Sequence, residues 1–147
     1  MVSTELLRRY PYFAPVSEES LRQLAMIAEE RVVPAGETMF LEQSPASRLY
    51  IIVRGEVAIQ YTLGSGQRRT VDRLVDGDLL VWSALVPPYR TTCAGIVEKE
   101  THLIGFEAAR VRELCERDPL LGYRLMTQVV MLLGHRLTGA LVQLAAV

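Results

Sequence analysis

One segment of the chain carries residue types that could hold a phosphate-bearing ligand. It runs from Gly77-Asp78-Leu79 to Arg90-Thr91. An arginine presents a fork of donors that can grip two phosphate oxygens, and a carboxylate can accept hydrogen bonds from a ligand hydroxyl. The same residues also suit plainer roles, because Asp-Gly-Asp favours turns, threonine favours strands, and a surface arginine is usually solvated. The residue types alone leave both interpretations open.

The segment lies within a region that reads as β-structure. From residue 31 to residue 106, short runs rich in Val, Ile, Leu, Thr and Tyr alternate with turn clusters such as Arg54-Gly55-Glu56. Gly64-Ser65-Gly66 predicts a hairpin turn, since glycine tolerates positive φ. Several short strands at close spacing predict an all-β sandwich or roll.

Helices flank this region on both sides. Residues 1–30 read as helical, with Ser17 as an N-cap. A helix is predicted from Glu107 to Arg117, and Asp118-Pro119 then begins a long helix that runs to about Leu144. The sequence therefore predicts one domain over residues 1–147, with helices in 1–30, a β-roll in 31–106 and C-terminal helices in 107–147.

The long C-terminal helix has two apolar stripes. The residues of the first are Leu121, Leu125, Val129 and Leu132, and those of the second are Tyr123, Met126, Val130, Leu133, Leu137, Ala140 and Leu144. One stripe is enough to pack a helix on its own core. The second has heptad-like spacing and predicts a homodimer through this helix. The alternative is a helix buried on two sides within one domain.

Composition and charge exclude several classes of protein. The net charge is -1, with no basic cluster, so we expect neither a nucleic-acid interface nor attraction to an anionic membrane. No unbroken stretch reaches the roughly 18 apolar residues of a membrane span. Two isolated cysteines indicate reduced thiols, so a cytoplasmic protein is expected. No helix-turn-helix pattern follows the long helix, and we expect no DNA-binding domain in this chain.

Catalytic and metal-binding signatures are also missing from the sequence. There is no nucleophile-elbow, phosphate-loop or Cys-x-x-Cys motif. His102 and His135 lie on different predicted elements. We therefore expect a protein that is not an enzyme and that holds no metal or cofactor.

Two stretches resemble a known family. Residues 34–43 contain a Gly36-Glu37 turn and a strand, and residues 49–57 contain a Tyr-x-Ile-x-x-Gly-x-Val pattern. This is similar to the cyclic nucleotide-binding domain family, which includes bacterial catabolite activators and regulatory subunits of cyclic AMP-dependent kinase. The resemblance implies a double-stranded β-helix, jelly-roll-like, with N-terminal helices and a long C-terminal helix. It places Tyr50, Ile52 and Val57 inside the roll.

The resemblance also implies a ligand and its binding residues. Residues 77–94 lie where the family has its phosphate-binding cassette. Gly77, Asp78 and Leu79 would line the ribose and phosphate, Arg90 would hold the phosphate, and Thr91 would add a hydroxyl. The implied ligand is cyclic AMP or cyclic GMP. The long helix would contribute base contacts, for which Thr127 and Gln128 are the implied residues.

The segment departs from the family pattern in three ways. Asp78 replaces a glutamate, Leu80 replaces a small residue, and the interval to Arg90 is longer than usual and contains Pro87-Pro88. Two functions therefore remain open. One is a ligand-sensing regulatory module that signals through its C-terminal helix, as the sensor of a transcription regulator does. The other is a structural or protein-interaction module that kept the fold and lost the nucleotide.

Overall fold

The computed structural model describes all residues from 1 to 147. In chain order the elements are α1 (Thr4–Arg8), α2 (Glu18–Ile27), β1 (Ala28–Val33), β2 (Thr38–Phe40), β3 (Arg48–Thr62), β4 (Arg68–Val75), β5 (Leu79–Leu80), a 3-10 helix (Trp82–Leu85), β6 (Ala94–Glu107), α3 (Ala108–Arg117) and α4 (Pro119–Ala145). The predicted order of helices, roll and helices is confirmed.

The six strands form one antiparallel sheet that is curled into a roll. The main path is β1-β6-β3-β4, with β2 also paired to β6 and β5 to β3. The long strands β3 and β6 pair with each other through several register shifts, which let them bend and pass around the core. Tyr50, Ile52 and Val57 are buried inside the roll, as the sequence predicts.

Gly55 lies at one of these register shifts. Its φ is +139°, and a Cβ there would lie 2.2 Å from the Thr101 hydroxyl oxygen. That hydroxyl is buried, accepts the Glu56 amide (3.1 Å) and donates to the Lys99 carbonyl (2.8 Å). Arg54-Gly55-Glu56 is therefore a bend within one continuous strand and not the turn between two strands that the sequence predicts. Any side chain at this position would displace a buried hydrogen-bonded group.

The boundaries of the roll differ from the sequence prediction at both ends. Strand β1 begins at Ala28, inside the range predicted to be helical, because Ala28 pairs with Phe106 and is fully buried there. At the other end β6 continues through Glu107, which is the N-cap of α3 and not its first helical residue. Pairing with a neighbouring strand overrides the helical spacing that made Ala28 look like part of α2.

Both predicted helix caps are confirmed. The Ser17 side chain accepts a hydrogen bond from the Ser20 amide (3.3 Å), and Asp118 accepts one from the Leu121 amide (3.3 Å). Asp118 also accepts a hydrogen bond from the Ser20 hydroxyl. The cap of α4 is thereby joined to α2, which fixes where the long helix begins.

Only one face of α4 packs on the domain. Leu121, Leu125 and Val129 are buried, whereas Tyr123, Val130, Leu137 and Leu144 are each more than 60% exposed. The interpretation of α4 as a helix buried on two sides within one domain is therefore wrong for this chain on its own. The exposed residues leave the second stripe without a partner.

By length and composition α4 is also able to cross a membrane, with 27 residues and a mean hydropathy of 1.3 over its most apolar window. The helix contains no unbroken apolar run of this length, because Arg124 and Arg136 interrupt it. In the structure one side of its first half is buried in the domain, and Arg124 donates to the Pro15 carbonyl.

Candidate ligand-binding cavity

A cavity of about 780 Å³ lies between the roll and the second half of α4. This volume is in the range of small-molecule binding sites. Its walls come from β3, β4, the 3-10 helix, residues 91–93 and α4 from Leu132 to Gln143. The apolar part includes Phe40, Leu74 and Trp82, and the polar part includes Asp78, Ser83 and Arg136. The segment singled out in the sequence therefore does reach a cavity.

Asp78 and Thr91 are the two predicted site residues that line this cavity. One carboxylate oxygen of Asp78 accepts the Val75 amide (2.8 Å) and closes its own turn. The buried Thr91 hydroxyl donates to the Leu41 carbonyl and accepts the Ser44 amide (3.0 Å). Both side chains thus have hydrogen-bond partners within the protein, although the second carboxylate oxygen of Asp78 accepts no hydrogen bond.

Gly77 and Leu79 shape the wall without lining the cavity. Gly77 has a φ of +89°, its amide donates to the Ile52 carbonyl (2.7 Å), and its own carbonyl accepts the Tyr12 hydroxyl (3.2 Å). Leu79 is fully buried and pairs with Ile51 in the sheet. These residues hold the turn that presents Asp78.

Arg90 does not line the cavity. It is exposed, and its guanidinium donates to the Gln43 carbonyl. The longer segment before it folds towards α3, where the Arg112 guanidinium lies 4.0 Å from the centre of the Tyr89 ring and donates to the Ala84 carbonyl (2.6 Å). Tyr89 itself has a φ of +58°. The chain therefore turns before Arg90 and directs it to the loop at residues 43–45.

Arg136 of α4 is a charged cavity residue that was not among the predicted site residues. It is partly buried, and its guanidinium donates only a long hydrogen bond, of 3.4 Å, to the Leu79 carbonyl. No carboxylate lies within ion-pair distance of it, whereas Arg73, the other arginine of the cavity, pairs with Glu98 (3.7 Å). The charge on Arg136 is therefore without an ionic partner inside a partly enclosed space.

A signal for Arg136 was present in the sequence. The first apolar stripe of α4 contains Leu125, Val129 and Leu132, and Arg136 follows Leu132 at the next helical interval of four. The stripe that packs on the core therefore changes from apolar to cationic where the helix passes over the cavity. Neither Thr127 nor Gln128, the residues implied by the family for base contacts, lines the cavity.

The charges of Asp78 and Arg136 both act on the phenol of Tyr12. Burial raises the pKa of the Tyr12 phenol, the negative charge of Asp78 raises it further, and the positive charge of Arg136 opposes them. Burial also raises the pKa of the Cys93 thiol on the cavity wall. Cys93 is therefore a protonated thiol near neutral pH, and it adds no negative charge beside Arg136.

The floor of the cavity carries backbone strain. Val81 lines it and adopts a φ of +67°, a conformation that costs energy for a β-branched residue. It stands directly before the 3-10 helix, whose Ser83 also lines the cavity and is buried. Such conformations persist where surrounding packing enforces them, and they are concentrated at binding and active sites.

No group of three metal-ligating side chains is close enough together to hold a metal ion.

A family model described as the cyclic nucleotide-binding domain matches residues 30–118, more than half of the chain. The chain belongs to the cyclic nucleotide-binding domain family. The resemblance seen in the sequence is thus confirmed, and the matched residues run from within β1 through the whole of α3 and end before α4.

Solved structures agree with this assignment. A protein of Geobacter metallireducens assigned to the cyclic nucleotide-binding proteins is 34% identical, with a TM-score of 0.84, over 93% of this chain and 99% of that one. The catabolite activator protein of Thermus thermophilus is 24% identical, with a TM-score of 0.72, over 91% of this chain and 61% of that one. The predicted fold class, a β-roll of this family with N-terminal helices and a long C-terminal helix, is confirmed.

Two curated relatives match over 130 residues, or 88% of this chain. One is a Rhodopseudomonas palustris protein named for a potassium channel, at 24% identity, and the other is the cyclic AMP receptor protein of Thermus thermophilus, at 25% identity. The matched region is 31% of the first relative and 58% of the second. The chain therefore spans less than two thirds of the length of either one.

Proposed function

We propose that this chain is a cytoplasmic regulatory module that binds cyclic AMP, cyclic GMP or a similar small anion in the cavity beneath α4. The observation that supports this most strongly is the composition of the cavity wall. Asp78, Val81 and Ser83 of the cassette region face the cavity from the roll, and α4 faces it from the other side. A ligand between them touches both the sensing segment and the helix that would transmit the signal.

The side chains on the wall suit the parts of a nucleotide. The second oxygen of Asp78 can accept a ribose hydroxyl, and Arg136 offers a cation to a phosphate. Trp82 and Phe40 supply apolar surface against which a base can pack. This chemistry is recognition and not turnover, so the proposed module has no catalytic role and needs no cofactor.

Signalling requires that the ligand bind one arrangement of α4 better than another. The exposed stripe of α4 is the surface through which the signal would be passed on. Tyr123, Val130, Leu137 and Leu144 follow one another at intervals of seven residues, the spacing of a helix that pairs with its own copy. We propose that two copies of the chain associate through this stripe.

The dimer is tested by analytical ultracentrifugation of the purified chain. Val130→Glu should convert a dimer to a monomer, because a charge in an apolar seam is not compensated. Val32→Glu, at an equally exposed position on β1 that, like Val130, does not line the cavity, is the matched control and should leave the dimer intact. A wild-type chain that stays monomeric at high concentration would exclude this association.

A protein-interaction module without ligand is the second candidate. It is favoured by the positions of Arg90 and Thr91, which hydrogen bond to backbone carbonyls of this chain. In that case the exposed α4 stripe would be the functional surface, and the cavity would stay open to solvent.

A thermal-shift titration with cyclic AMP, cyclic GMP and cyclic dinucleotides distinguishes the two. A ligand that binds only the folded chain adds about 2.7 kcal/mol of stability at a hundred times its dissociation constant. We expect a saturable rise in Tm with one of these ligands. No rise with any of them would favour the interaction module.

A further inference from the structure

Three arginines are candidates for binding the negative charge of a ligand, and their surroundings differ. Arg90 is exposed away from the cavity, and its guanidinium is engaged by the Gln43 carbonyl. Arg73 lines the cavity but pairs with Glu98. Arg136 lines the cavity, is partly buried and has only one long hydrogen bond, to the Leu79 carbonyl.

A partly buried cation without an ionic partner is the strongest attraction for an anion in such a space. Removing its guanidinium from water has an energetic cost, and the Leu79 carbonyl offsets only part of it. An anion within reach would satisfy the remaining donors with charge-assisted hydrogen bonds. We propose that Arg136 of α4, and not an arginine of the roll, binds the negative charge of the ligand, an inference that rests on the proposed function.

The position of this arginine has a consequence for signalling. The carboxylate at Asp78 belongs to the roll, whereas Arg136 belongs to the second half of α4, where Leu137, Leu141 and Leu144 are largely exposed. A phosphate-bearing ligand would therefore connect the roll to the part of the helix that is least attached. Binding and closure of the helix become one event, because the charge contact does not form until the helix is in place.

The decisive experiment is calorimetric titration of the full chain with cyclic AMP and cyclic GMP in three variants. Arg136→Ala should weaken binding about tenfold or more, since a hydrogen bond to a charged group is lost. Arg136→Lys should retain part of the affinity, because the charge remains and the fork is lost. Arg90→Ala is the matched control and should bind within about twofold of the wild type.

A second probe separates loss of the charge contact from damage to the cavity. Adenosine has the base and ribose but no phosphate, so its affinity should be the same in the wild type and in Arg136→Ala. Circular dichroism and Tm without ligand should show that each variant is folded. Equal losses for cyclic AMP and adenosine would overturn the assignment, because Arg136 would then only support the cavity.

The outcomes also distinguish failure of this inference from failure of the proposed function on which it rests. Suppose that the wild type binds a nucleotide, that Arg90→Ala loses this affinity and that Arg136→Ala keeps it. The module is then a sensor, and the assignment of Arg136 is wrong. Equal losses in both arginine variants overturn it as well. If the wild type binds neither nucleotide, the proposed function and this inference both fail.

Discussion

The two halves of α4 belong to the same helix and have opposite surroundings. From Pro119 to Val129 the helix is capped by Asp118, joined to α2 through Ser20, and buried along one side. From Val130 to Ala145 none of its residues is buried, and its inner side faces a cavity. Stability is therefore concentrated in the first half. The second half is left with few contacts, as expected for an element that moves when a ligand binds.

The largest expected effect is on the packed half. Leu125 is fully buried, so Leu125→Ala should lower the free energy of unfolding by about 2–5 kcal/mol, because it removes buried surface and leaves a cavity. Urea denaturation followed by circular dichroism measures this. Met131→Ala, on the exposed half of the same helix and 53% exposed, is the matched control and should change it by about 0.5 kcal/mol or less. Similar losses in the two variants would remove the distinction between the halves.

A smaller effect is expected where the opposite wall of the cavity is held in place. Arg112 of α3 donates to the Ala84 carbonyl and stacks on Tyr89. Arg112→Met should lower the free energy of unfolding by about 1–3 kcal/mol, since one charge-assisted hydrogen bond and one cation–π contact are lost. Arg110→Met, at an exposed position of α3, should have almost no effect in the same urea denaturation. If the two variants are equally stable, the 3-10 helix is not held by Arg112.

The smallest effect concerns the cap of α4 and depends on pH. The Ser20 hydroxyl and the Leu121 amide lower the pKa of Asp118. An aspartate whose pKa is lowered by folding adds stability above its unfolded pKa of about 3.9, and that stability is lost as the pH falls through the folded value. Asp118→Asn should therefore lose less stability than the wild type when urea midpoints are compared at about pH 5 and about pH 3.

Ser20→Ala provides the control for this pH effect. It keeps the Asp118 carboxylate and removes one of its two main hydrogen bonds. Its loss of stability between the two pH values should lie between those of the wild type and Asp118→Asn. A pH dependence of Asp118→Asn equal to that of the wild type would mean that the cap does not contribute through its charge.

The sequence predicts the roll well because its signals are local. Turn glycines such as Gly36 and Gly66 adopt positive φ as expected, and alternating apolar residues fill the core. The boundary at Ala28 is less predictable. Alanine at helical spacing favours a helix, and only its partner Phe106, 78 positions along the sequence, decides otherwise. The spacing of neighbouring residues does not reveal a contact between residues so far apart in the sequence.

The site is less predictable than the fold for a related reason. Asp78 and Thr91 reach the cavity, but the direction of Arg90 depends on how the chain turns at Tyr89 and on the contact of Tyr89 with α3. Residue type and spacing do not determine that turn. Arg136 lies 58 positions after Asp78 in the sequence, and only the packing of α4 across the roll brings the two to one cavity. The apolar stripe of α4 predicts which face of the helix packs on the domain, but it does not predict that a cavity lies beneath that face.

The proposed function requires that a ligand hold the second half of α4 over the cavity. Hydrogen exchange of the full chain, with and without saturating cyclic AMP or cyclic GMP, measures this directly. Without ligand, amides of residues 122–129 should exchange slowly and those of 131–145 quickly. With ligand, protection should rise in 131–145 and stay unchanged in 122–129. A bound nucleotide that leaves exchange in 131–145 unchanged would contradict the account.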